Sequence, residues 1–166
     1  MKKLILGVAL TGLSMPLIAD DAINLASGSQ LDVQSVSQVR LQDGETQDNV
    51  WFSLDPTQFS DAADKQLSNC VLTAQVALDS GELFFTSRSL RCPSRTGDVY
   101  TAENVSAKLI TSTNQLCTAS GSYCTEVTLD TSAAYRVELE AAAKMEAAYN
   151  ASREVNRIRI DQQRAD

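Results

Sequence analysis

Four cysteines, spaced Cys70-x21-Cys92-x24-Cys117-x6-Cys124, are the residues of this chain whose type and spacing best suit chemistry, and no histidine accompanies them. Without histidine there is no Ser-His-Asp triad, no Cys-His dyad and no imidazole ligand for a metal. A four-thiolate zinc site ordinarily brings its ligands in close C-x2-C pairs, and a redox-active dithiol is ordinarily C-x-x-C. Neither spacing occurs here. Four is an even number, so an oxidising compartment would turn these residues into two structural disulfides.

The other candidates for chemistry are weaker. Asp43-Gly44-Glu45-Thr46-Gln47-Asp48 is rich in oxygen ligands but lacks the ligand order and terminal glutamate of a calcium loop, and reads as a solvated turn. Asp61 with Asp64 offers paired carboxylates, and Lys65, Lys108 or Lys144 beside a Ser or Thr offers a dyad, yet nothing around them signals burial or a displaced pKa. Phosphate loops, dinucleotide fingerprints, nucleophile elbows and zincin motifs are missing. Trp51 with Phe52, and Phe84 with Phe85, read as core and sheet-face residues rather than a ligand cage. The expectation is a non-enzyme with no catalytic residues, no metal and no cofactor.

The N-terminus supplies the compartment that the cysteines require. Met1-Lys2-Lys3 is a short positive region, Leu4-Ile5-Leu6-Gly7-Val8-Ala9-Leu10 opens an apolar run, and Ser14, Met15 and Pro16 break it before Ala19. This order is that of a secretory signal peptide over residues 1–19. The uncharged stretch from Leu4 to Ala19 falls short of the ~20 residues that a spanning helix needs. Cleavage after Ala19 removes two basic residues and no acidic one, taking the net charge from −7 to −9. Such an acidic chain repels the phosphate backbone, so nucleic acid is not an expected partner. Periplasmic or outer-membrane association is the expected location.

Disulfide pairing follows from hairpin geometry. Cys70, Leu72, Ala74, Val76 and Leu78 alternate onto one face, and beyond Asp79-Ser80-Gly81 the run Leu83–Cys92 puts Phe84, Leu90 and Cys92 on one face. A loop from Asp79 to Leu83 sets Leu78 opposite Phe84 and Cys70 opposite Cys92, within disulfide reach. Cys117 and Cys124 flank a small polar stretch suited to a loop. Of three possible connectivities, Cys70–Cys92 with Cys117–Cys124 is therefore preferred.

The remaining pattern predicts an α+β fold: a small antiparallel β domain, sandwich or barrel-like, stapled by disulfides and followed by a long C-terminal helix. Residues 20–48 read as an extended arm or edge strands. Residues 49–130 form the β domain on period-two patterning, with strands at Val50–Leu54, Cys70–Leu78, Leu83–Cys92, within 98–113 and at Tyr123–Leu129, and a short helix at 60–67. Residues 131–166 are rich in Ala, Glu, Lys, Met and Arg, with no Gly or Pro after Gly121. That composition predicts a helix, acidic in its first half and basic in its second, which suits the helix dipole. Tyr135, Leu139, Met145 and Tyr149 form one stripe of it and are the candidate partner-binding residues.

One stretch resembles a known family. Asn69-Cys70-Val71-Leu72, Gly81-Glu82-Leu83, Arg88-Ser89-Leu90-Arg91-Cys92 and Gly97 look like part of the TraB/TrbI family, proteins of the outer-membrane core complex of conjugative type IV secretion machines. Val105–Ile110 continues the same strand order. The likeness covers about residues 69–120; the glycine-rich stretch that follows the second cysteine in that family is not preserved here. The resemblance implies a structural role, with other envelope or secretion-complex proteins, or further copies of the chain, as partners. A free-standing periplasmic binding or chaperone-like module is the alternative.

Overall fold

Inward and outward residues alternate along most of the described strands, and the result is a nearly all-strand architecture. The computed structural model describes residues 22–59, 67–95, 97–120, 123–148, 155, 158, 160 and 162–164. Its strands are β1 (Ala22–Leu25), β2 (Gln30–Ser35), β3 (Val39–Gln42), β4 (Glu45–Leu54), β5 (Cys70–Asp79), β6 (Glu82–Pro93), β7 (Val99–Glu103), β8 (Ala107–Leu109), β9 (Cys117–Ser120), β10 (Tyr123–Leu129), β11 (Ala134–Leu139) and β12 (Ala143–Ala148). Among the described residues up to Ala148, a 3-10 turn at Pro56–Gln58 and a helical turn, α1 (Thr113–Leu116), interrupt them.

The large sheet has the order β1-β12-β7-β6-β5-β4-β2-β11-β8, and the small one β3-β10-β9. Every pairing is antiparallel. Because β1 runs straight into β2 and β11 into β12, the pairs β1–β12 and β2–β11 are the same two segments on either side of a corner. The Gly28 N–H donates to Leu139 O (2.7 Å) and the Leu139 N–H to Ser29 O (2.9 Å), carrying the ladder through that corner. The large sheet therefore curls back on itself, which reduces exposed edge. Val39, Leu41, Val127 and Leu129 from the small sheet join Ile23, Leu31, Phe52, Leu72, Leu78, Leu90 and Met145 in one continuous core.

The long C-terminal helix expected over 131–166 is not formed. Residues 134–139 and 143–148 are β11 and β12 instead. Tyr135, Val137 and Leu139 alternate at period two and are all buried, as is Met145. Their strands are held by distant partners: β11 lies between β2 and β8, and β12 between β1 and β7. Helix propensity, a few tenths of a kcal/mol per residue, loses to burying an alternating apolar set against strands already in place. Beyond Ala148 the described residues are helical and exposed. Residues 22–48, expected as an extended arm or edge strands, contribute β1, β2, β3 and the start of β4 to the two sheets, with β1 and β3 at sheet ends and β2 inside. The signal-like segment 1–19 and most of the helix expected at 60–67 lie outside the described residues.

Both disulfides form in the preferred pairing, Cys70–Cys92 and Cys117–Cys124. The hairpin register behind the first differs from the expected one. Asp79 pairs with Glu82 around a two-residue turn, with Ser80 and Gly81 at φ 53° and 77°, and Leu78 faces Leu83 rather than Phe84. Positive φ at both central residues is what a tight hairpin turn demands. A bulge at Arg88 then inserts one residue, because Ala74 pairs with Ser87 but Thr73 with Ser89. The shift restores Cys70 opposite Cys92. It also reverses parity, so Phe84 points outward, 49% exposed, while Phe85 stacks edge-on against Phe52 at 5.5 Å.

Candidate functional site: the outer face of β4 to β7

Burial along β4 places Val50, Phe52 and Leu54 in the core, so Trp51 between them faces out. Phe52 is 1% exposed and Trp51 56%. Trp51 is the chain's only tryptophan. Directly across the strands lie Thr73, Ser89 and Glu103, each the register partner of the one before. Val36, whose N–H donates to Trp51 O at 2.9 Å, follows β2 and is 52% exposed. Single exposed apolar residues are ordinary on surfaces, but a tryptophan and a valine adjacent on one face make a patch.

A groove of about 610 Å³ opens beside Trp51, lined also by Asn49, Thr73, Arg88, Arg91 and Glu103. Two bulges shape it. In β4, Gln47 pairs with Val76 but Val50 with Ala74, and the extra residue puts Asn49 at φ 54°. In β6 the inserted Arg88 sits almost level with it across β5. Arg88 Nη2 reaches Asp48 Oδ1 at 2.8 Å, and Gln75 Nε2 donates to the same oxygen at 2.7 Å from the strand between. Arg91 Nη2 pairs with Glu103 Oε1 at 3.3 Å on the next two strands. Each arginine thus has a carboxylate partner, Asp48 standing just outside the groove and Glu103 in its lining. These pairs are solvent-exposed and hold side chains in place more than they stabilise the fold.

The residues expected to matter are placed differently. Tyr135, Leu139 and Met145 are interior strand residues, not a partner-binding helix stripe. The buried Tyr135 hydroxyl turns back to donate to Asp130 O at 3.0 Å. Tyr149 lies outside the described residues, as do Asp61, Asp64 and Lys65. Lys108 Nζ pairs with Glu138 Oε1 at 2.9 Å, and the hydrogen bond followed by the charge of Glu138 raises the lysine pKa, away from what a base needs. Lys144 Nζ lies 3.2 Å from Glu146 Oε1.

The oxygen-rich turn is used for folding contacts. Asp43 accepts from the Gly81 N–H (3.0 Å) and the Tyr123 hydroxyl (2.7 Å), and Asp48 is held by Arg88 and Gln75. Among the described residues no three His, Cys, Asp or Glu side chains converge. Of the Trp51–Phe52 pair, expected as core and sheet-face residues, Phe52 is the core member and Trp51 the sheet-face one. Alternation through Val50, Phe52 and Leu54 is the signal that would have turned it outward.

Two disulfides define the class: a β protein of an oxidising compartment, outside the cytosol. Among the described residues no helix is long and apolar enough to cross a membrane. No protein-family model matches the chain, and no curated protein matches it.

Proposed function

We propose that the chain is an exported structural or adaptor subunit of a cell-envelope assembly, of the kind built around conjugative type IV secretion core complexes, and that it has no catalytic role. The observation that carries this reading is the outer face of β4 to β7. Trp51 stands exposed there in a groove shared with Arg88 and Arg91, and aromatic and arginine residues are the ones that anchor contacts. Support also comes from the signal-like residues 1–19, which give the disulfides a route to a periplasmic compartment. The TraB/TrbI-like frame of about residues 69–120 falls mainly on β5 to β8, with its two cysteines joined.

The test is the native mass of the protein extracted gently from its own envelope, measured by size exclusion with light scattering. A particle of hundreds of kilodaltons is the expected outcome. A monomer that stays monomeric after cross-linking before extraction overturns the assembly reading. It would favour the second one, a free-standing periplasmic binding module, which the groove beside Trp51 also supports.

A further inference from the structure

We infer that the groove beside Trp51 binds an uncharged glycan chain, so that the subunit contacts polysaccharide through the outer face of β4 to β7. This inference rests on reading that face as a contact surface.

Three observations select the ligand chemistry. First, the groove lies on interior strands. β4 is paired to β5 and β2, β5 to β4 and β6, β6 to β5 and β7, and β7 to β6 and β12. An extended peptide is usually taken by adding a strand to a free edge, where unpaired backbone groups provide its affinity. Here the backbone is spent in ladders, so recognition falls to side chains.

Second, those side chains offer one indole face surrounded by interleaved donors and acceptors. Asn49 offers both, Thr73 a hydroxyl, Arg88 and Arg91 donors, and Glu103 acceptors. A sugar ring presents an apolar C–H face and a rim of hydroxyls, each able to donate and accept. The indole takes the first and the polar rim the second, as amphipathic aromatic residues commonly do.

Third, charge disfavours the competing stackers. Arg88 with Asp48 and Arg91 with Glu103 cancel locally. An anionic ligand must compete with Asp48 and Glu103 for the two arginines and approach a chain of net charge −7. Nucleobases stack on tryptophan equally well, but their phosphates meet the same repulsion. The groove is also open and shallow rather than enclosing, which suits a long chain passing over it better than a small molecule that must be engulfed.

The sole tryptophan makes the test direct, because intrinsic fluorescence reports on Trp51 alone. The full exported protein is titrated with tetrameric β-1,4-linked N-acetylglucosamine and, separately, with a neutral glucan oligomer. A saturable change in emission is expected with one of them, together with a roughly tenfold or greater loss of affinity in Trp51→Ala by titration calorimetry. A response to the N-acetylglucosamine chain assigns a wall-type glycan, and a response to the glucan assigns a matrix polysaccharide; either supports the inference. Asn49→Ala, which leaves the tryptophan in place, should weaken the same response.

Folding of each variant is checked by circular dichroism and by the absence of free thiols. No emission change with millimolar oligosaccharide of either kind overturns the inference, as does glycan affinity that is unaltered in Trp51→Ala. An emission change that depends on protein concentration but not on glycan points to a second copy on this face, and also overturns it. The native-mass experiment is untouched by these results, so recovery in a large particle without glycan binding overturns this inference and leaves the assembly reading standing.

Discussion

The Tyr123 hydroxyl donates a 2.7 Å hydrogen bond to Asp43 Oδ2 across a sequence separation of 80 residues, tying the start of β10 to the β3–β4 turn. Asp43 Oδ1 accepts from the Gly81 N–H in the β5–β6 turn, and the Gly44 N–H donates to Leu78 O at 2.8 Å. Three turns from both sheets thus meet at one carboxylate. The Tyr123 ring lies over Gly81, where an added Cβ would stand 3.0 Å from Cε2 at a φ of 77°. Gly81→Ala therefore meets both a strained backbone and a ring that must move. Urea denaturation should show a loss of about 1 kcal/mol or more, and Gly44→Ala, with open space at its Cβ, a smaller steric contribution.

The same contact has a pH signature. Asp43 is held below the usual carboxylate range, first by the Tyr123 hydroxyl and then by the Gly81 N–H. Asp55 is lowered by the Thr57 N–H, Asp130 by the Ser132 hydroxyl and N–H, and Glu138 by Lys108 and then Gln30. A carboxylate whose folded pKa is depressed contributes stability above its unfolded value, about 4, and loses it as pH falls through the folded value. Thermal midpoints should therefore hold level from neutral pH down to about 5 and decline in acid. Tyr123→Phe should raise the Asp43 pKa toward its ordinary range, read by carboxyl-carbon NMR. An unchanged Asp43 titration would refute the bond as its cause.

Trp51 and Phe52 are sequence neighbours with opposite duties. Phe52→Ala empties a fully buried site packed against Phe85 and should cost about 3–5 kcal/mol in equilibrium denaturation. Trp51→Ala removes a side chain standing mostly in water and should change stability by about 0.5 kcal/mol or less. Equal losses in the two variants would refute the assignment of inward and outward faces along β4.

Arg88 is an insertion that the disulfide does not need. The turn-side register of β5–β6, continued without a bulge, would bring Cys92 opposite Cys70 once one residue were removed. Deleting Arg88 should therefore leave Cys70–Cys92 formed, with no free thiol on alkylation and mass spectrometry. Inserting a second residue beside it should displace Cys92 and leave thiols free or scrambled. Replacing the joined pair by serine should cost roughly 3 kcal/mol, against roughly 2 for Cys117–Cys124, whose loop is shorter.

Much of the β5 region is legible in the amino-acid order. Cys70, Leu72, Ala74, Val76 and Leu78 alternate in the sequence and all are buried in the fold. Cysteine spacing led to the preferred pairing that the fold contains, although the hairpin register behind Cys70–Cys92 is set by the bulge at Arg88. Local pattern succeeds there because a strand's two faces are written at period two and a hairpin partner is close in sequence.

The bulges were not legible. One extra residue at Asp48–Asn49, at Arg88 and between Cys124 and Val127 reverses parity within a strand, and each is defined only by the strand opposite. Phe84 and Tyr123 consequently face outward where a straight alternation put them inside.

Residues 134–148 carried two messages. Their Ala, Glu, Lys and Met content favours a helix, while Tyr135, Val137 and Leu139 keep the spacing of a strand. The choice between them belongs to β1, β2, β7 and β8, whose paired residues lie between 28 and 124 positions away in the chain. The order of residues by itself determined the inward face of β5 and a preference among the cysteine pairings, because those depend on near neighbours and on period. Tertiary structure alone decided that the Ala-rich segment became β12 and that Trp51 stands beside a groove lined by Arg88 and Arg91. Both depend on register between distant strands, where burial and ladder hydrogen bonds outweigh the preference of any single residue.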